Sequence, residues 1–235
     1  MFIADWRDAV FIHFRVDQAH LQPLVPFELD LFEGEAYVSL VAFTQARLRP
    51  AIGGRLTQWL STPLASHEFL NLRTYVRHEQ ERGIYFIAEW IPNRLAALIG
   101  PRTYGLPYRL GRLEYRVQPA RGQVEGLVRA LGKEVFYRGR IDASAGFRCA
   151  APGTLEDFLV DRYVAFTSRG DVHRSFHVAH EPWSIAPVRM DQLDTSLIDF
   201  IDLGRPAGVQ YSPGVQDVCI SPPQRKSRRR WCTLG

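Results

Sequence analysis

The chain has 235 residues, of which 46% are hydrophobic and 23% charged, and this composition is typical of a globular protein and excludes a disordered one. No apolar stretch approaches the roughly 20 residues that a membrane-spanning helix needs, and Asp5 and Asp8 do not fit a signal peptide. The three cysteines, Cys149, Cys219 and Cys232, match neither a metal-binding spacing nor an even set of disulfides. We therefore expect a reduced, cytoplasmic protein.

The formal net charge of +4 comes from one end of the chain. Five of the basic residues lie between Arg225 and Arg230, and the rest of the chain is close to neutral. Because a nucleic-acid-binding protein usually spreads its basic residues over a whole face, the sequence does not predict a nucleic-acid partner. We expect one domain over residues 1–220, followed by a basic, flexible tail over residues 221–235.

The first half of the chain predicts strands and two short helices. Strands are expected at Val10–Val16, Ala36–Phe43, His67–Arg77 and Ile84–Ile91. Asp17 and Asn93 are expected to cap helices over residues 18–21 and 94–99. Loops are expected at residues 49–66, with a helical turn at 56–60, and at residues 100–109.

The second half continues the same pattern. Strands are expected at Arg112–Val117, Gln123–Ala130, Glu134–Ile141, Tyr163–Thr167, Ser175–His180 and Val209–Ile220. Thr154 is expected to cap a helix over residues 155–159, and a second helix is expected at Asp194–Ile201. Closely spaced strands with few short helices predict a mainly β (α+β) single domain, either a barrel or a sandwich.

The segment Gly100–Arg109 is the first candidate site. Arg102 and Arg109 offer planar guanidinium groups for a carboxylate, and Tyr104 and Tyr108 offer phenolic donors. This composition fits a pocket for an anionic or carbonyl-bearing small molecule. The alternative is a well-packed loop with surface arginines.

The strand His67–Arg77 is the second candidate. Its alternation puts Leu70, Leu72 and Val76 on one face and Asn71 and Arg73 on the other. The pattern defines two faces without saying which one faces inward. Asn71 and Arg73 therefore face either solvent or a polar cavity inside a closed sheet.

Three histidines near residue 177 are the third candidate. On a helix His173 and His177 would share a face, but the local pattern favours a strand, which spreads them too far apart for one metal ion. We predict no metal and, because no phosphate loop or dinucleotide motif is present, no cofactor. His180 is expected to be a buried, hydrogen-bonded residue or a general acid/base.

Several segments together resemble a known family, the YqjF-like domain of unknown function 2071. They run in order along the chain: 24–26, 29–40, 68–76, 104–108, 158–163, 180–183 and 211–215. The resemblance implies a bacterial cytosolic protein with an acetoacetate-decarboxylase-like β-barrel fold. It implies no particular reaction.

A more distant resemblance to acetoacetate decarboxylase itself differs at the key motif. That enzyme carries Pro-Lys-Lys, whose first lysine forms a Schiff base with the keto acid. Here the matching residues are Pro107-Tyr108-Arg109, and a phenol cannot form an imine. The only lysines in the chain are Lys133 and Lys226. We therefore predict no Schiff-base decarboxylation.

The resulting hypothesis is a single barrel that binds a small carboxylate- or carbonyl-containing metabolite. Arg73, Arg102 and Arg109 would neutralise the carboxylate, and Tyr108 would donate to a carbonyl or enolate oxygen. Asn71 and Tyr104 would orient these groups, and His180 would act as an acid/base.

If the protein is an enzyme, we expect a non-Schiff-base lyase, isomerase or hydrolase. Two alternatives remain: a non-catalytic sensor or assembly module with a filled barrel, and an accessory protein recruited to anionic polymers by the tail. Homo-oligomer formation stays open.

Overall fold

The computed structural model describes residues 1–51 and 65–226, and the helical turn expected at residues 56–60 lies outside these ranges. Most of the described residues belong to strands. The strands are β1 (Phe2–Val16), β2 (Glu28–Leu29), β3 (Ala36–Pro50), β4 (His67–His78), β5 (Glu81–Ile91), β6 (Tyr108–Leu110), β7 (Arg112–Gln118), β8 (Gln123–Ala130), β9 (Lys133–Ile141), β10 (Arg148–Cys149), β11 (Val164–Arg169), β12 (Val172–Ala179), β13 (Ser184–Asp194), β14 (Pro206–Ile220) and β15 (Gln224–Lys226). The helices are α1 (Gln18–Leu21), α2 (Arg94–Thr103) and α3 (Leu155–Val160).

The expectation of a mainly β protein with few short helices is confirmed. Each helix begins after the expected cap, since the side chains of Asp17, Asn93 and Thr154 accept hydrogen bonds from backbone N–H groups of the first turn. In the described part of the chain, no helix combines the length and hydrophobicity needed to cross a membrane.

The strands form one hydrogen-bonded sheet. Its order is β15-β12-β11-β5-β4-β3-β1-β14-β13-β9-β8-β7. Strand β12 also pairs with β14, through Val178 opposite Ile220 and Ala179 opposite Cys219. This extra pairing joins the two ends of the run of strands from β12 to β14.

Hydrophobic side chains cover both faces of the central strands, because alternate residues point to opposite faces. The first cluster, on one face, includes Val10, Leu40, Leu70, Leu72 and Trp90. The second cluster, on the other face, includes Phe11, Val41, Phe69, Tyr75 and Phe158. Helix α3 packs on the second face, and strands β7, β8 and β9 contribute to the first.

Two expected features at the level of single elements are wrong. Helix α2 continues through Pro101 to Thr103, so Arg102 lies on the helix and not in a loop. Residues 184–194 form strand β13, which was not expected, and residues 195–201 form turns where a helix was predicted. Leu197 and Ile201 are four residues apart, and both are buried in the first hydrophobic cluster. Their spacing therefore reflects packing against this cluster and not a helix.

The described part of the segment assigned to the tail lies on the sheet. Strand β15 pairs with residues 173–175 of β12, and the ammonium group of Lys226 forms an ion pair with Glu81. The backbone N–H of Ser221 also donates to the carbonyl of His177 at 2.9 Å.

Candidate functional site

A cavity of about 380 Å³ lies on the face of the sheet that carries the second cluster. Five of its lining residues stand in register across neighbouring strands: Phe11 on β1, Val41 on β3, Asn71 on β4, Glu89 on β5 and Tyr108 on β6. Side chains opposite one another across paired strands approach closely, so this row forms one continuous wall.

Strand β4 supplies alternate residues to the same wall. His67, Phe69, Asn71 and Arg73 all line the cavity, as the period of two in a strand requires. The alternation expected for residues 67–77 is therefore confirmed, and both faces of the strand are buried, with Asn71 and Arg73 at the cavity and Leu70 and Leu72 in the first cluster.

Aromatic rings form a large part of the remaining wall. Phe43 and Phe69 stack with ring centroids 5.1 Å apart, and Trp6 stacks on Trp183 at 6.0 Å. The centroids of Trp6 and Phe43 are 5.3 Å apart, which joins the two stacks. The result is an apolar surface next to the polar side chains of β4 and β5.

Arg73 places a charged guanidinium at this cavity. Its side chain is only 7% exposed. Its Nη2 donates to the carbonyl of Leu159 at 2.8 Å, whereas its Nε has no hydrogen-bond partner. Among the described residues, no carboxylate lies within ion-pair distance of Arg73. Asp161 acts on Arg73 only by its charge from beyond that distance. A buried cation without a direct ion pair is costly and favours an anionic ligand.

A chain of buried hydrogen bonds holds the same carbonyl. The hydroxyl of Tyr75 donates to Leu159 at 2.8 Å. The hydroxyl of Tyr75 has only one hydrogen, which it gives to Leu159, so it accepts from Ser39 Oγ at 2.5 Å. Ser39 Oγ in turn accepts from Nδ1 of His13 at 2.6 Å. Burial, together with the charge of Arg73, lowers the pKa of His13 to about 3. His13 is therefore neutral.

The other titratable groups on the wall do not neutralise Arg73. Burial raises the pKa of Glu89 to about 8, so its carboxyl group is largely protonated at pH 7. Burial lowers the pKa of His67 to about 4, so its imidazole is uncharged. Glu89 Oε2, Asn71 Oδ1 and both ring nitrogens of His67 have no hydrogen-bond partner among the described residues. This wall therefore combines one positive charge with several unused donors and acceptors.

Two tyrosines complete the polar part of the cavity. Burial raises the pKa of Tyr108 well above its usual range, and the nearby Glu89 and Tyr104 contribute further to the rise. The phenol of Tyr108 therefore keeps its proton. Tyr104 packs edge-on against Phe176 at 5.0 Å, and its hydroxyl donates to the carbonyl of Ser221 at 3.1 Å. The unusual acid–base properties of this cluster are typical of functional sites.

The cavity brings together four of the residues singled out from the sequence: Asn71, Arg73, Tyr104 and Tyr108. Three others lie outside it. Arg102 is exposed and donates to the carbonyl of Leu98 in its own helix, and Arg109 is exposed, with its guanidinium over the rings of Trp90 and Phe200. The ring of His180 lies against the rings of Trp6 and Trp183, with centroids 5.9 and 5.4 Å away, and does not line the cavity. Its Nδ1 donates to the carbonyl of Glu181 at 2.7 Å.

Sequence reasoning missed Glu89 and His67. The available signal for Glu89 was its position as the one charged residue in the apolar run 84–91, because a lone acid in a buried strand usually has a specific reason to be there. His67 opens β4 and shares the alternation of Asn71 and Arg73.

The lysines lie away from this cavity. Lys133 forms an ion pair with Asp199, and Lys226 pairs with Glu81. Within residues 1–51 and 65–226, no three His, Cys, Asp or Glu side chains group so as to hold a metal ion.

Comparisons with solved structures show the fold. Acetoacetate decarboxylase from Legionella pneumophila superposes with a TM-score of 0.69 at 12% sequence identity, over 97% of this chain and 88% of that one. The enduracididine biosynthesis enzyme MppR, in complex with pyruvate, superposes with a TM-score of 0.68 at 13% identity, over 98% and 92% of the two chains. The acetoacetate-decarboxylase-like fold expected from the sequence is thus confirmed.

Sequence comparison gives a closer relationship. The uncharacterized protein YqjF of Bacillus subtilis (strain 168) is 32% identical over 186 residues, which cover 76% of this chain and 72% of YqjF. The model of the DUF2071 family, described as an uncharacterized conserved protein, matches residues 3–216. The chain therefore belongs to the DUF2071 family.

Proposed function

We propose that this cavity binds a small metabolite that carries a carboxylate or carbonyl group. The observation that carries the proposal is Arg73, a buried guanidinium at a cavity of about 380 Å³, which has an unpartnered Nε and, among the described residues, no carboxylate within ion-pair distance. A ligand carboxylate would supply the missing negative charge and accept from Nε. An open cavity of this size also argues against a filled, purely structural interior.

The proposal gives each neighbouring group a role. The neutral phenol of Tyr108 donates to a carbonyl or enolate oxygen of the ligand. The protonated carboxyl of Glu89, which pairs with Tyr108 on the adjacent strand β5, is a second donor. Asn71 and Tyr104 orient the ligand. If turnover occurs, Tyr108 and Glu89 are the groups that exchange protons, in a lyase, isomerase or hydrolase reaction.

The proposal also includes a closed barrel around the cavity. The strands from β12 to β14 in the sheet order each contribute side chains to the second hydrophobic cluster, which surrounds the cavity. The pairing of β12 with β14 supports closure of this run of strands.

Two comparisons support this class of ligand. MppR binds pyruvate, a keto acid, and the Legionella enzyme is an acetoacetate decarboxylase. In this chain Tyr108 stands where the resemblance expects the Schiff-base lysine. We therefore propose that binding is non-covalent, and that borohydride traps no adduct between the protein and a keto acid.

The test is thermal melting of the full chain with a panel of keto acids, hydroxy acids and acyl esters. A ligand present at about 100 times its Kd stabilises the folded state by about 2.7 kcal/mol. We expect a rise in Tm with an acid, its loss in Arg73→Gln, and a reduced rise in Tyr108→Phe.

Arg109→Gln locates the binding site, since Arg109 lies outside the cavity. The rise in Tm should persist in this variant. If it disappears in Arg109→Gln and persists in Arg73→Gln, the ligand binds at the exposed strand β6 and the proposal is wrong. If no acid changes the Tm of the well-folded protein, carboxylate binding itself is wrong.

A further inference from the structure

The wall of the cavity is uneven along β4: Arg73, with its guanidinium over the ring of Phe11, lies toward one end, and the stacked rings of Phe43 and Phe69 lie toward the other. Along β4, Arg73 and Phe69 are four residues apart, which corresponds to roughly 13 Å in a strand. Phe69 belongs to the aromatic part with Phe43 and Trp6. Trp183 connects this part to Phe11, 5.1 Å away, beside Arg73. From this geometry we infer that the ligand is an amphiphilic acid, with its carboxylate at Arg73 and an aromatic or bulky alkyl group between the rings. This inference rests on the proposed function.

The volume supports a large apolar group. An apolar protein cavity of about 150 Å³ holds a benzene molecule, and this cavity has about 380 Å³. A two- or three-carbon acid would neutralise Arg73 but leave the aromatic wall exposed to water. A carboxylate joined to a group larger than one aromatic ring would fill both ends.

The charges agree with this orientation. Among the described lining residues, Arg73 is the positive group. His67 lies on β4 two residues before Phe69, on the side away from Arg73, and is neutral because burial lowers its pKa to about 4. Among the lining residues that the structure describes, no charge therefore opposes an apolar group at the aromatic end. Asn71 lies between Phe69 and Arg73, so its unpartnered Oδ1 is placed to accept from a hydroxyl or amino group near the ligand carboxylate.

The test is calorimetric titration of the full chain with a graded series of acids: acetate, butanoate, octanoate, phenylacetate, 4-phenylbutanoate and 2-naphthylacetate. Each acid is paired with the alcohol of the same carbon skeleton. We expect affinity to rise about fourfold for each added methylene that becomes buried, which is about 0.8 kcal/mol. The heat capacity of binding should become more negative along the series.

Two variants separate the ends of the cavity. Arg73→Gln should weaken each acid to the level of its paired alcohol. Leu48→Trp adds a ring to the wall beyond His67, far from Arg73, and should weaken 2-naphthylacetate and octanoate while leaving acetate unchanged. The Tm of each variant confirms that it is folded.

The outcomes distinguish the two proposals. Equal affinity for all acids, lost in Arg73→Gln, would overturn the amphiphilic ligand and leave carboxylate binding intact. Acids that bind no better than their paired alcohols would overturn the proposed function, even if affinity grows with size. Absence of binding across the series would overturn both.

Discussion

Gly100 of α2 lies directly against the ring of Tyr108. A Cβ atom placed on this glycine would be 2.7 Å from Cδ2 of the tyrosine and would overlap Cε2 more severely. Only a residue without a side chain lets the helix approach this part of the cavity wall.

Gly100→Ala tests this contact. In an unconstrained helix the change would stabilise by up to about 1 kcal/mol, but here we expect a loss of about 1–3 kcal/mol, because the ring or the helix must move. Chemical denaturation measures the difference. Gly208→Ala is the control, because its Cβ would meet only the side-chain nitrogen of Gln210, at 3.4 Å. An equal loss in both variants would argue against a specific clash with Tyr108.

The buried acid Glu89 makes a prediction about pH. In the unfolded chain its proton leaves near pH 4.5, whereas in the native protein the pKa is about 8. Folding therefore takes up a proton between these values, and the contribution of Glu89 to stability is fully present below pH 4.5 and falls by about 1.4 kcal/mol per pH unit up to pH 8. The Glu89→Gln variant has no group that titrates at this position, so its stability lacks this dependence on pH.

Denaturation curves from pH 4.5 to 9 check the Glu89 prediction. The stability of the wild type relative to Glu89→Gln should fall steadily with pH and level off above pH 8. Glu28→Gln changes an exposed acid and serves as the matched control. A difference between wild type and Glu89→Gln that is constant with pH would mean that Glu89 is ionised in the native protein.

Tyr75→Phe tests the buried hydrogen bonds behind Arg73. The change removes the hydroxyl that links Ser39 to the carbonyl of Leu159, leaving the Ser39 hydroxyl buried without its acceptor. We expect a loss of about 1–3 kcal/mol in the free energy of unfolding. Because Ser39 belongs to the same chain of hydrogen bonds, the double variant with Ser39→Ala should lose less than the two single losses added together. Strict additivity would contradict the network.

Asp30 is the buried partner of three arginines, Arg77, Arg82 and Arg162. Burial alone would raise the pKa of Asp30, but hydrogen bonds and charge from the arginines lower it overall. Asp30→Asn should cost about 3–5 kcal/mol, because Arg162, only 7% exposed, keeps a buried charge without a partner. Arg82→Gln should cost about 1 kcal/mol or less, since Arg82 is half exposed. Similar losses in urea denaturation would contradict this ranking.

The sequence predicted strand β4 and the shared face of Asn71 and Arg73, because strand alternation is a local property. It could not say that this face lines a cavity, because that depends on how distant strands pair: β3 and β5 flank β4, and α3 brings Leu159 to Arg73 from 86 residues away.

Local patterns misled at two points. The sequence predicts a helix that ends at Ile99, before Pro101, but α2 continues through Pro101, and Arg102 consequently lies on an exposed helix surface. Strand β13 was missed because its sequence contains Pro187 and ends in polar residues, which are weak strand signals. Its pairing with β9 and β14 provides the stabilisation that local propensity lacks.

The two faces of the central strands have different roles. Leu70, Leu72 and Trp90 anchor the sheet in the first cluster, whereas Asn71 and Glu89, interleaved with them, face the cavity. Substitutions at the cavity-facing residues of β4 and β5 can therefore change the chemistry of the cavity while the residues of the first cluster preserve the architecture. A fold shared with acetoacetate decarboxylase at 12% identity is what such interleaving allows.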